Sequence, residues 1–419
     1  MKLSDIDLND LDNFERSTPH DQFELLREQA PVYRHAGADG DSDYWCITKH
    51  ADLKYVSKHP DLFSSEREGA LLRDPEPGSL DGLRLIMINM DPPKHRRYRA
   101  IVNKAFTPRI VKGLERAVDR MIDDIVDAVI EKGECDFVDD LAAPLPMQVI
   151  CEMMGVPTED RRAIYELGNK LVGFDDPELQ GEDDERAQQP GEEASYETAS
   201  AEMFMYAAKL AEKARSHPAD DLATALLGAE VDGHRLSEME FNSFFLLLAV
   251  AGNETTRTVT SNGMLDLIRN PEQRQRLLDD RSLLNTAVEE ILRFNPAVHC
   301  FRRTAMADTE IRGVRIAEVE KLAVWYPAVN RDEEVFENSQ SFDVGRNPNE
   351  HLSFGIGEHF CLGANLARME LRKIFRGLLE RLPDLELAAE PRRLRSNFIN
   401  GIKEMRVSFA PGSRRSQGA

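Results

Sequence analysis

Apolar positions three and four residues apart recur along the chain and predict a mainly helical protein. Residues 109–132 place apolar side chains at this spacing, as an amphipathic helix does. Residues 237–268 predict a longer helix that begins with Ser237 and has Glu240 three residues later, the pattern of a capping box. Its centre, FFLLLAVAG, is apolar on every side, so we expect this helix to lie inside the protein.

Shorter periodic segments complete the pattern. They predict helices over 282–294 and 362–381 and strands over 43–48, 310–316 and 321–326. Strand signals are concentrated near the N-terminus and between residues 300 and 326. The predicted fold class is therefore mainly α with small β-sheets, followed by a short polar, disordered tail over about 412–419.

Composition excludes several classes of function. The 419 residues include 53 basic and 75 acidic side chains, a formal charge of −22, which argues against non-specific binding to nucleic acid and docking on anionic lipid. No stretch approaches the roughly 20 apolar residues of a membrane span, and we expect no signal peptide or membrane anchor. Five scattered cysteines without zinc spacing indicate reduced thiols in a cytoplasmic protein.

An acidic segment interrupts the helical pattern. Residues 175–197 carry ten acidic side chains and one arginine, together with two prolines and two glycines. A solvated loop is the simpler interpretation. A lid between two helices, covering a buried site, is the functional alternative, and the two are compatible.

Cys361 differs from the other four cysteines in its surroundings. In SFGIGEHFCLGANLAR, Gly355 and Gly357 allow a tight bend before Cys361, and a helical pattern follows Gly363. Backbone N–H groups at the start of that helix favour a thiolate, which is a good metal ligand. A lone cysteine cannot form a zinc site, which needs about four ligands. An inert thiol, a nucleophile with His359 as its base and the axial ligand of a haem iron all remain open.

FGIGEHFCLG resembles the haem-binding loop of the cytochrome P-450 superfamily, and further motifs follow in the family's order over nearly the whole chain. The resemblance implies one domain over residues 1–419 with the cytochrome P-450 fold. It also implies haem b bound between the long central helix and the helix after the cysteine loop. Cys361 would be the axial ligand of the haem iron.

The long helix contains AGNETT, with a glycine, two threonines and Glu254 in an otherwise apolar stretch. A packing notch with a solvent-facing glutamate would explain these residues without any chemistry. The resemblance instead implies an oxygen-activating groove, with Glu254 as the acid that relays protons and Thr255 as the alcohol that hydrogen-bonds the activated oxygen. The family more often has Asp at the acid position, so Glu254 is a departure from its pattern.

Two charged motifs match the family as well. Glu290 and Arg293, three residues apart on one helix, are an ordinary surface pair on spacing alone. The resemblance makes them a buried structural network with Arg346. Asp91-Pro-Pro-Lys-His-Arg-Arg-Tyr-Arg opens another helix and would otherwise be an exposed basic end. The residues implied to bind the haem propionates are His95, Arg99, Arg303 and His359.

Three stretches resemble a bacterial subfamily that hydroxylates steroid side chains and methyl-branched lipids at a terminal carbon. They are WCITKHADLKYVSKHPDLFSS, FFLLLAVAGNETTR and SNFINGIKEMRV. An apolar pocket would suit such substrates, and the family positions that line it are Ile88, Leu247, Val250, Ala251, Val298 and His299. His299 is polar where an apolar residue is common, and it would either contact a substrate oxygen or simply be packed.

The expected function is a haem-thiolate monooxygenase that inserts one atom of O₂ into an unactivated C–H bond of an apolar small molecule. No nucleotide fingerprint appears in the chain, so electrons would come from a ferredoxin with its ferredoxin reductase. A basic dock was expected from Arg96, Arg97, Arg109, Arg368, Arg372 and Lys373. The alternatives are a terpenoid or fatty-acid hydroxylase, a peroxide-driven hydroxylase and, in a different class, a non-catalytic haem sensor.

Overall fold

The fold is mainly helical with small β-sheets, as the hydrophobic pattern predicts. A computed structural model describes residues 1–38, 40–104, 106, 108–172, 176–180 and 195–415; the side chains of 107–111, 169, 172, 180 and 195–197 are not described. The α-helices are α1 (Leu11–Arg16), α2 (His20–Gln29), α3 (His50–Lys58), α4 (Leu80–Leu83), α5 (Lys94–Asn103), α6 (Pro108–Asp127), α7 (Pro144–Met154), α8 (Arg161–Val172), α9 (Pro177–Gln180), α10 (Ser195–Ser216), α11 (Leu222–Gly228), α12 (Glu238–Arg269), α13 (Pro271–Asp279), α14 (Leu284–Phe294), α15 (Tyr326–Val329) and α16 (Ala364–Arg381).

Within the described residues the strands are short and form four small sheets. They are β1 (Val32–His35), β2 (Tyr44–Ile47), β3 (Phe63–Ser64), β4 (Glu134–Asp136), β5 (Cys300–Ala305), β6 (Thr309–Ile311), β7 (Val314–Ile316), β8 (Lys321–Trp325), β9 (Glu386–Leu387), β10 (Arg392–Arg393), β11 (Ile402–Glu404) and β12 (Arg406–Ser408). The largest sheet has the order β1-β2-β8-β5-β3, in which β2 and β8 run parallel and the other pairs are antiparallel. The smaller sheets are β4-β12-β9, β10-β11 and β6-β7.

The long buried helix forms as predicted. Ser237 is the N-cap of α12, where its Oγ accepts from the Glu240 amide and its own amide donates to the Glu240 carboxylate at 2.9 Å. From Phe241 onward most side chains of α12 are buried, because α7, α10, α14 and α16 pack around it. Among the described helices none, the 32-residue α12 included, is long and apolar enough to cross a membrane.

Two predicted boundaries are wrong for local reasons. The helix expected over 109–132 ends at Asp127, because hydrogen-bonded turns and Gly133 at φ +77° lead the chain into β4. The strand expected over 310–316 is a hairpin of β6 and β7, since Arg312 and Gly313 both adopt positive φ in a two-residue turn. The Arg-Gly dipeptide was the available signal.

The C-terminal end contacts the body where a disordered tail was expected. The Gly412 amide donates to the Ile130 carbonyl at 2.9 Å, and the Arg415 amide donates to the buried Asp127 carboxylate at 3.0 Å. Residues 412–415 therefore contact the body of the protein through their backbone amides. Residues 416–419 lie outside the described part of the chain.

Candidate active site

The cysteine loop is bent by two glycines before it enters α16. Gly355 and Gly357 have φ of +68° and +78°, as the sequence pattern predicts. A Cβ on Gly357 would lie 2.4 Å from the carbonyl oxygen of Ser57, so only glycine allows the loop to pack against the end of α3. The Cys361 amide donates to the Phe354 carbonyl at 2.8 Å, and α16 starts three residues later. The half-buried thiol therefore lies on a fixed turn.

Opposing electrostatic effects act on the pKa of Cys361. Burial raises the pKa of its thiol, whereas the Gly363 and Ala364 amides and the Arg99 and Arg368 guanidiniums lower it. Burial has the larger effect, so the pKa of the thiol lies above its usual value. The start of the helix therefore does not by itself produce the expected thiolate. A thiolate here needs a further positive charge, which a metal bound to sulfur would provide.

A cluster of cationic and imidazole side chains lies near the cysteine. The rings of His95 and His359 are 4.4 Å apart, and both rings experience the charges of Arg99 and Arg303. Burial lowers the pKa of His95 to about 4, and burial also lowers the pKa of Arg303. Within the described residues, both ring nitrogens of His95 and Nε2 of His359 are buried without a hydrogen-bond partner. Such a cluster is complementary to carboxylates, so it fits the propionates of haem.

The nucleophile alternative loses support here. The ring of His359 hydrogen-bonds the backbone of Met90 and faces His95. In the described part of the chain no hydrogen bond joins His359 to Cys361, so the thiol lacks the base that nucleophilic catalysis needs. The described residues also contain no group of three or more His, Cys, Asp or Glu that suits a metal ion. An iron at Cys361 would need most of its ligands from a cofactor.

One face of α12 is open in the middle of an otherwise buried helix. Leu247 is half-buried, Ala251 is exposed and Thr255 is half-buried, and their spacing of four residues places them on one face. Next to Ala251, Gly252 packs closely against α7. A Cβ added to Gly252 would lie 2.7 Å from Cδ1 of Ile150. These three turns of α12 are therefore less buried than the rest of the helix.

Apolar side chains lie beside this face of α12, and we call the face and these side chains together the apolar wall. Val250 and Val298 pack in one cluster with Leu179, Leu394, Phe398 and Ile399, four residues that the sequence analysis missed. Val298 pairs with Ile399 through an isolated β-bridge, which explains how a loop near residue 298 meets the C-terminal region. Ile88 lies half-buried in a 3₁₀ turn (Met87–Asn89) that contacts α12.

His299 is buried and packs against an aromatic side chain. It is 2% exposed, and its ring meets Phe14 edge-on with 4.9 Å between the ring centroids. Burial lowers the pKa of His299 to about 3, so the ring is neutral. No local sequence pattern predicts the contact with Phe14 of α1, and the role of His299 in substrate binding stays a prediction.

Glu254 and Thr255 occupy different environments although they are neighbours. Glu254 is 2% exposed and pairs with Arg257 at 2.5 Å, one turn further along α12. It does not face solvent as the packing alternative assumed. The Thr255 hydroxyl donates to the Ala251 carbonyl at 2.7 Å, so it shares this carbonyl with the backbone ladder of α12. Arg257, the partner that gives the buried Glu254 a counter-charge, was missed in the sequence.

The three residues of the predicted structural network meet. Arg293 and Glu290 form a two-bond ion pair, and Arg346 Nε donates to Glu290 at 3.0 Å. Next to it, Glu289 accepts from Arg368 at 2.7 and 2.8 Å and from His351 at 3.0 Å. Arg368 also lies over the Phe354 ring of the cysteine loop. These contacts connect α14 to the loop that carries Cys361.

Comparison with known proteins identifies the family. The sequence model of the family described as Cytochrome P450 matches residues 15–386. A methyl-branched lipid omega-hydroxylase of Mycobacterium bovis is 42% identical over 98% of this chain and 96% of its own, and a steroid C26-monooxygenase of Rhodococcus jostii is 38% identical over 97% and 85%. A solved structure of the Mycobacterium marinum cytochrome P450 CYP268A2 in complex with pseudoionone has a TM-score of 0.88 at 36% identity, covering 97% of this chain and 98% of its own.

The chain therefore belongs to the cytochrome P450 family, as the cysteine loop predicted. It is an oxidoreductase of the monooxygenase type, and its cofactor is haem b. The non-catalytic alternative is thereby set aside.

Proposed function

We propose that this monooxygenase hydroxylates an apolar substrate, either a steroid side chain or a methyl-branched lipid, using O₂ and two electrons from a ferredoxin. The observation that carries the substrate class is the apolar wall formed by α12 and the cluster of Val250, Val298 and Phe398. Relatives named for steroid and methyl-branched lipid oxidation, at 38% and 42% identity, support the same class. An apolar wall of this kind suits a substrate that is itself mostly apolar.

In this proposal the residues described above hold haem b. Cys361 would supply the sulfur ligand of its iron, and His95, Arg99, Arg303 and His359 would bind the propionates. When bound, the haem supplies the oxygen chemistry, with the overall balance RH + O₂ + 2 e⁻ + 2 H⁺ → ROH + H₂O. Glu254 would deliver protons, and Thr255 would pass them on through its hydroxyl. Leu247, Ala251 and Ile88 would hold the substrate and exclude water.

A spectral binding screen tests the substrate class, because a substrate that displaces water from haem iron shifts the Soret band. Cholestenone, a methyl-branched fatty acid and a linear fatty acid of the same length are the probes. We expect shifts with the first two at lower concentrations than with the third. Tightest binding of the linear acid would favour the fatty-acid hydroxylase alternative. Product formed with peroxide alone, as fast as with the electron-fed system, would favour the peroxide-driven one.

The proposed ferredoxin dock is smaller than the sequence suggested. Ion pairs hold three of its six cations: Arg96 with Glu358, Arg368 with Glu289 and Lys373 with Asp119. Arg109 lies in a stretch whose side chains are not described. The proposal therefore rests on Arg97, which is exposed, and Arg372, which is half-exposed.

Charge reversal tests this dock. We expect Arg97→Glu and Arg372→Glu to raise the ferredoxin concentration needed for half-maximal turnover, most strongly at low salt. Arg162→Glu, an exposed site on α8, is the control. A ferredoxin dependence of turnover that is unchanged in both variants and at every ionic strength would contradict the proposed dock. All five cysteines are free thiols, which supports the cytoplasmic location proposed with it.

A further inference from the structure

The loop that joins β3 to α4 is held against the largest sheet by a half-buried carboxylate, Asp74. Arg302 of β5 donates to Asp74 Oδ1 at 2.6 Å, and Nζ of Lys321 in β8 lies 2.9 Å from the same oxygen. The Ser42 amide donates to Asp74 Oδ2 at 2.6 Å. Arg302 and Lys321 are 3% and 2% exposed, and both form an ion pair with Asp74. Two buried cations therefore depend on one carboxylate, because a charged side chain is costly to bury without a partner.

Neighbouring groups keep this carboxylate ionised. Burial raises the pKa of Asp74, but the Ser42 amide and Lys321 lower it by more, so the pKa lies well below its usual range. Burial lowers the pKa of Lys321, and the hydrogen bond to Asp74 opposes this change. Lys321 Nζ also donates to the Leu72 carbonyl at 3.1 Å. The loop over residues 72–74 is thus held to the sheet both by charge and through a backbone carbonyl.

Arg302 connects this anchor to two regions that the sequence assigned to binding. Its amide donates to the Ala70 carbonyl at 2.8 Å, and the Ala70 amide donates to Asn89 Oδ1 at 3.0 Å. Asn89 follows Ile88 and ends its 3₁₀ turn. The Arg302 carbonyl accepts from Arg303 Nη1 at 2.6 Å. One residue of β5 therefore contacts the loop that supports the Ile88 turn and also the cation proposed to bind a propionate.

We propose that Asp74 is a positioning residue for substrate binding, which fixes Arg302 and the β3–α4 loop and thereby holds the Ile88 turn against α12. The inference rests on the proposed function, because it requires that Ile88 contacts the substrate. Its physical basis is that a binding site has a weaker apparent affinity when its competent conformation is present for only a fraction of the time. Asp74 acts through the loop and does not itself contact substrate or haem.

The backbone of Arg302 is held independently of its side chain. Arg302 pairs with Ala323, and Arg303 pairs with Leu322, in the antiparallel ladder of β5 and β8. Loss of the Asp74 carboxylate should therefore leave the Arg302 carbonyl in place for Arg303. The β3–α4 loop, in contrast, would lose its ionic contacts with the sheet. We consequently expect substrate binding to weaken while haem release is unchanged.

The test compares Asp74→Asn, which removes the charge, with Asp74→Glu, which keeps it. Asp308→Asn is the matched control, because the exposed Asp308 likewise accepts from an arginine at 2.6 Å and from a backbone amide at 3.0 Å. Soret titrations with cholestenone and the methyl-branched fatty acid give the dissociation constants. We expect Asp74→Asn to raise them about tenfold, as it would if the Ile88 turn were in its binding position about a tenth of the time. Asp74→Glu should recover part of the affinity, and Asp308→Asn should match the wild type.

The kinetic and haem-release data separate positioning from general stabilisation. Asp74→Asn should raise KM by a similar factor and leave kcat within about twofold of the wild type, because the lost interaction affects bound substrate and transition state alike. Transfer of haem to an acceptor apoprotein should proceed at the wild-type rate. Haem retention that falls as much as substrate affinity would overturn the inference, since the carboxylate would then only stabilise the fold.

A second variant does not depend on Asp74→Asn folding. Asn89→Ala keeps every charge and removes the acceptor of the Ala70 amide, so it should raise the same dissociation constants without changing haem release. Should Asp74→Asn fail to fold, the dissociation constants of Asn89→Ala decide alone. Wild-type substrate affinity in every folded variant of Asp74 and Asn89 would overturn the inference. Failure of the proposed function would appear in the wild type itself, as the absence of a Soret shift with either apolar probe.

Discussion

Arg293 donates two hydrogen bonds to Glu290, each of 2.8 Å, and both side chains are completely buried. The remaining N–H groups of Arg293 donate to the carbonyls of Asn330, Ser339 and Ser341. The pair therefore fixes the loop region over 330–341 against α14 by satisfying carbonyl groups that would otherwise be buried without partners.

Removing one partner of this pair should destabilise the protein severely. We expect Arg293→Ala to lower the free energy of unfolding by about 3–5 kcal/mol, because the buried Glu290 carboxylate loses one of its two arginine partners and three carbonyl groups lose their donor. Urea titrations at matched haem content measure the change. Arg162→Ala breaks the exposed Arg162–Glu166 pair on α8 and should leave the midpoint unchanged. Equal midpoints for the two variants would contradict the role given to the buried pair.

Arg303 should contribute directly to haem retention. Arg303→Gln is expected to speed haem release about tenfold or more, since a charge-assisted hydrogen bond is worth roughly 1.5–3 kcal/mol. Arg303→Lys keeps the charge but lacks the planar guanidinium. Its rate of haem release should lie between those of the wild type and Arg303→Gln. Transfer of haem to an acceptor apoprotein gives the rate. Arg315→Gln, an exposed site on β7, is the control, and identical release from all four proteins would refute the assignment.

His299 should make the protein acid-sensitive. Burial lowers its pKa from 6.5 to about 3, so the unfolded chain takes up a proton below pH 6.5 while the native ring stays neutral. The stability contributed by the neutral ring is therefore lost progressively as the pH falls below 6.5 towards 3. Between pH 7 and 5 we expect His299→Phe to lose less stability than the wild type, by on the order of 2 kcal/mol. The exposed His217, changed to Gln, should keep the wild-type slope; an unchanged slope in His299→Phe would count against this.

Two glycines in helices should respond to alanine with opposite signs. At Gly252 a new Cβ meets Ile150, so Gly252→Ala should cost about 1–3 kcal/mol, and Ile150→Val, which removes the contacting Cδ1, should restore part of it. At Gly113 in α6 no described atom lies within 4 Å of the added Cβ. Gly113→Ala should therefore stabilise the protein by roughly 1 kcal/mol. Thermal unfolding of these three variants, with Ile150→Val tested in the Gly252→Ala background, is the measurement. Destabilisation at both glycines would contradict this account of α12 packing.

The sequence predicted elements whose signals are local. The capping box at Ser237 and the glycine turn before Cys361 could be assigned because a few neighbouring residues determine each of them. The network of Glu290, Arg293 and Arg346 was placed by resemblance, since spacing alone could not distinguish a buried pair from a surface pair.

What the sequence missed depends on contacts between distant segments. The apolar wall includes Leu179 and Phe398, and Val298 reaches Ile399 only through tertiary packing. Asp176 is buried and accepts from Lys403 and the Arg395 amide, although it lies in the acidic segment expected to be a solvated loop or a lid. Residues 175 and 181–194 of that segment lie outside the described part of the chain, and both interpretations remain predictions for them.

The central assignment is Cys361 as the sulfur ligand of haem iron, and the CO difference spectrum of the reduced protein tests it most directly. The wild type and a Cys135→Ser control, which changes a buried cysteine on β4, should both give the band characteristic of thiolate-ligated haem. Cys361→Ser should lose that band even if it still binds haem. A thiolate band of full intensity in Cys361→Ser would contradict the account.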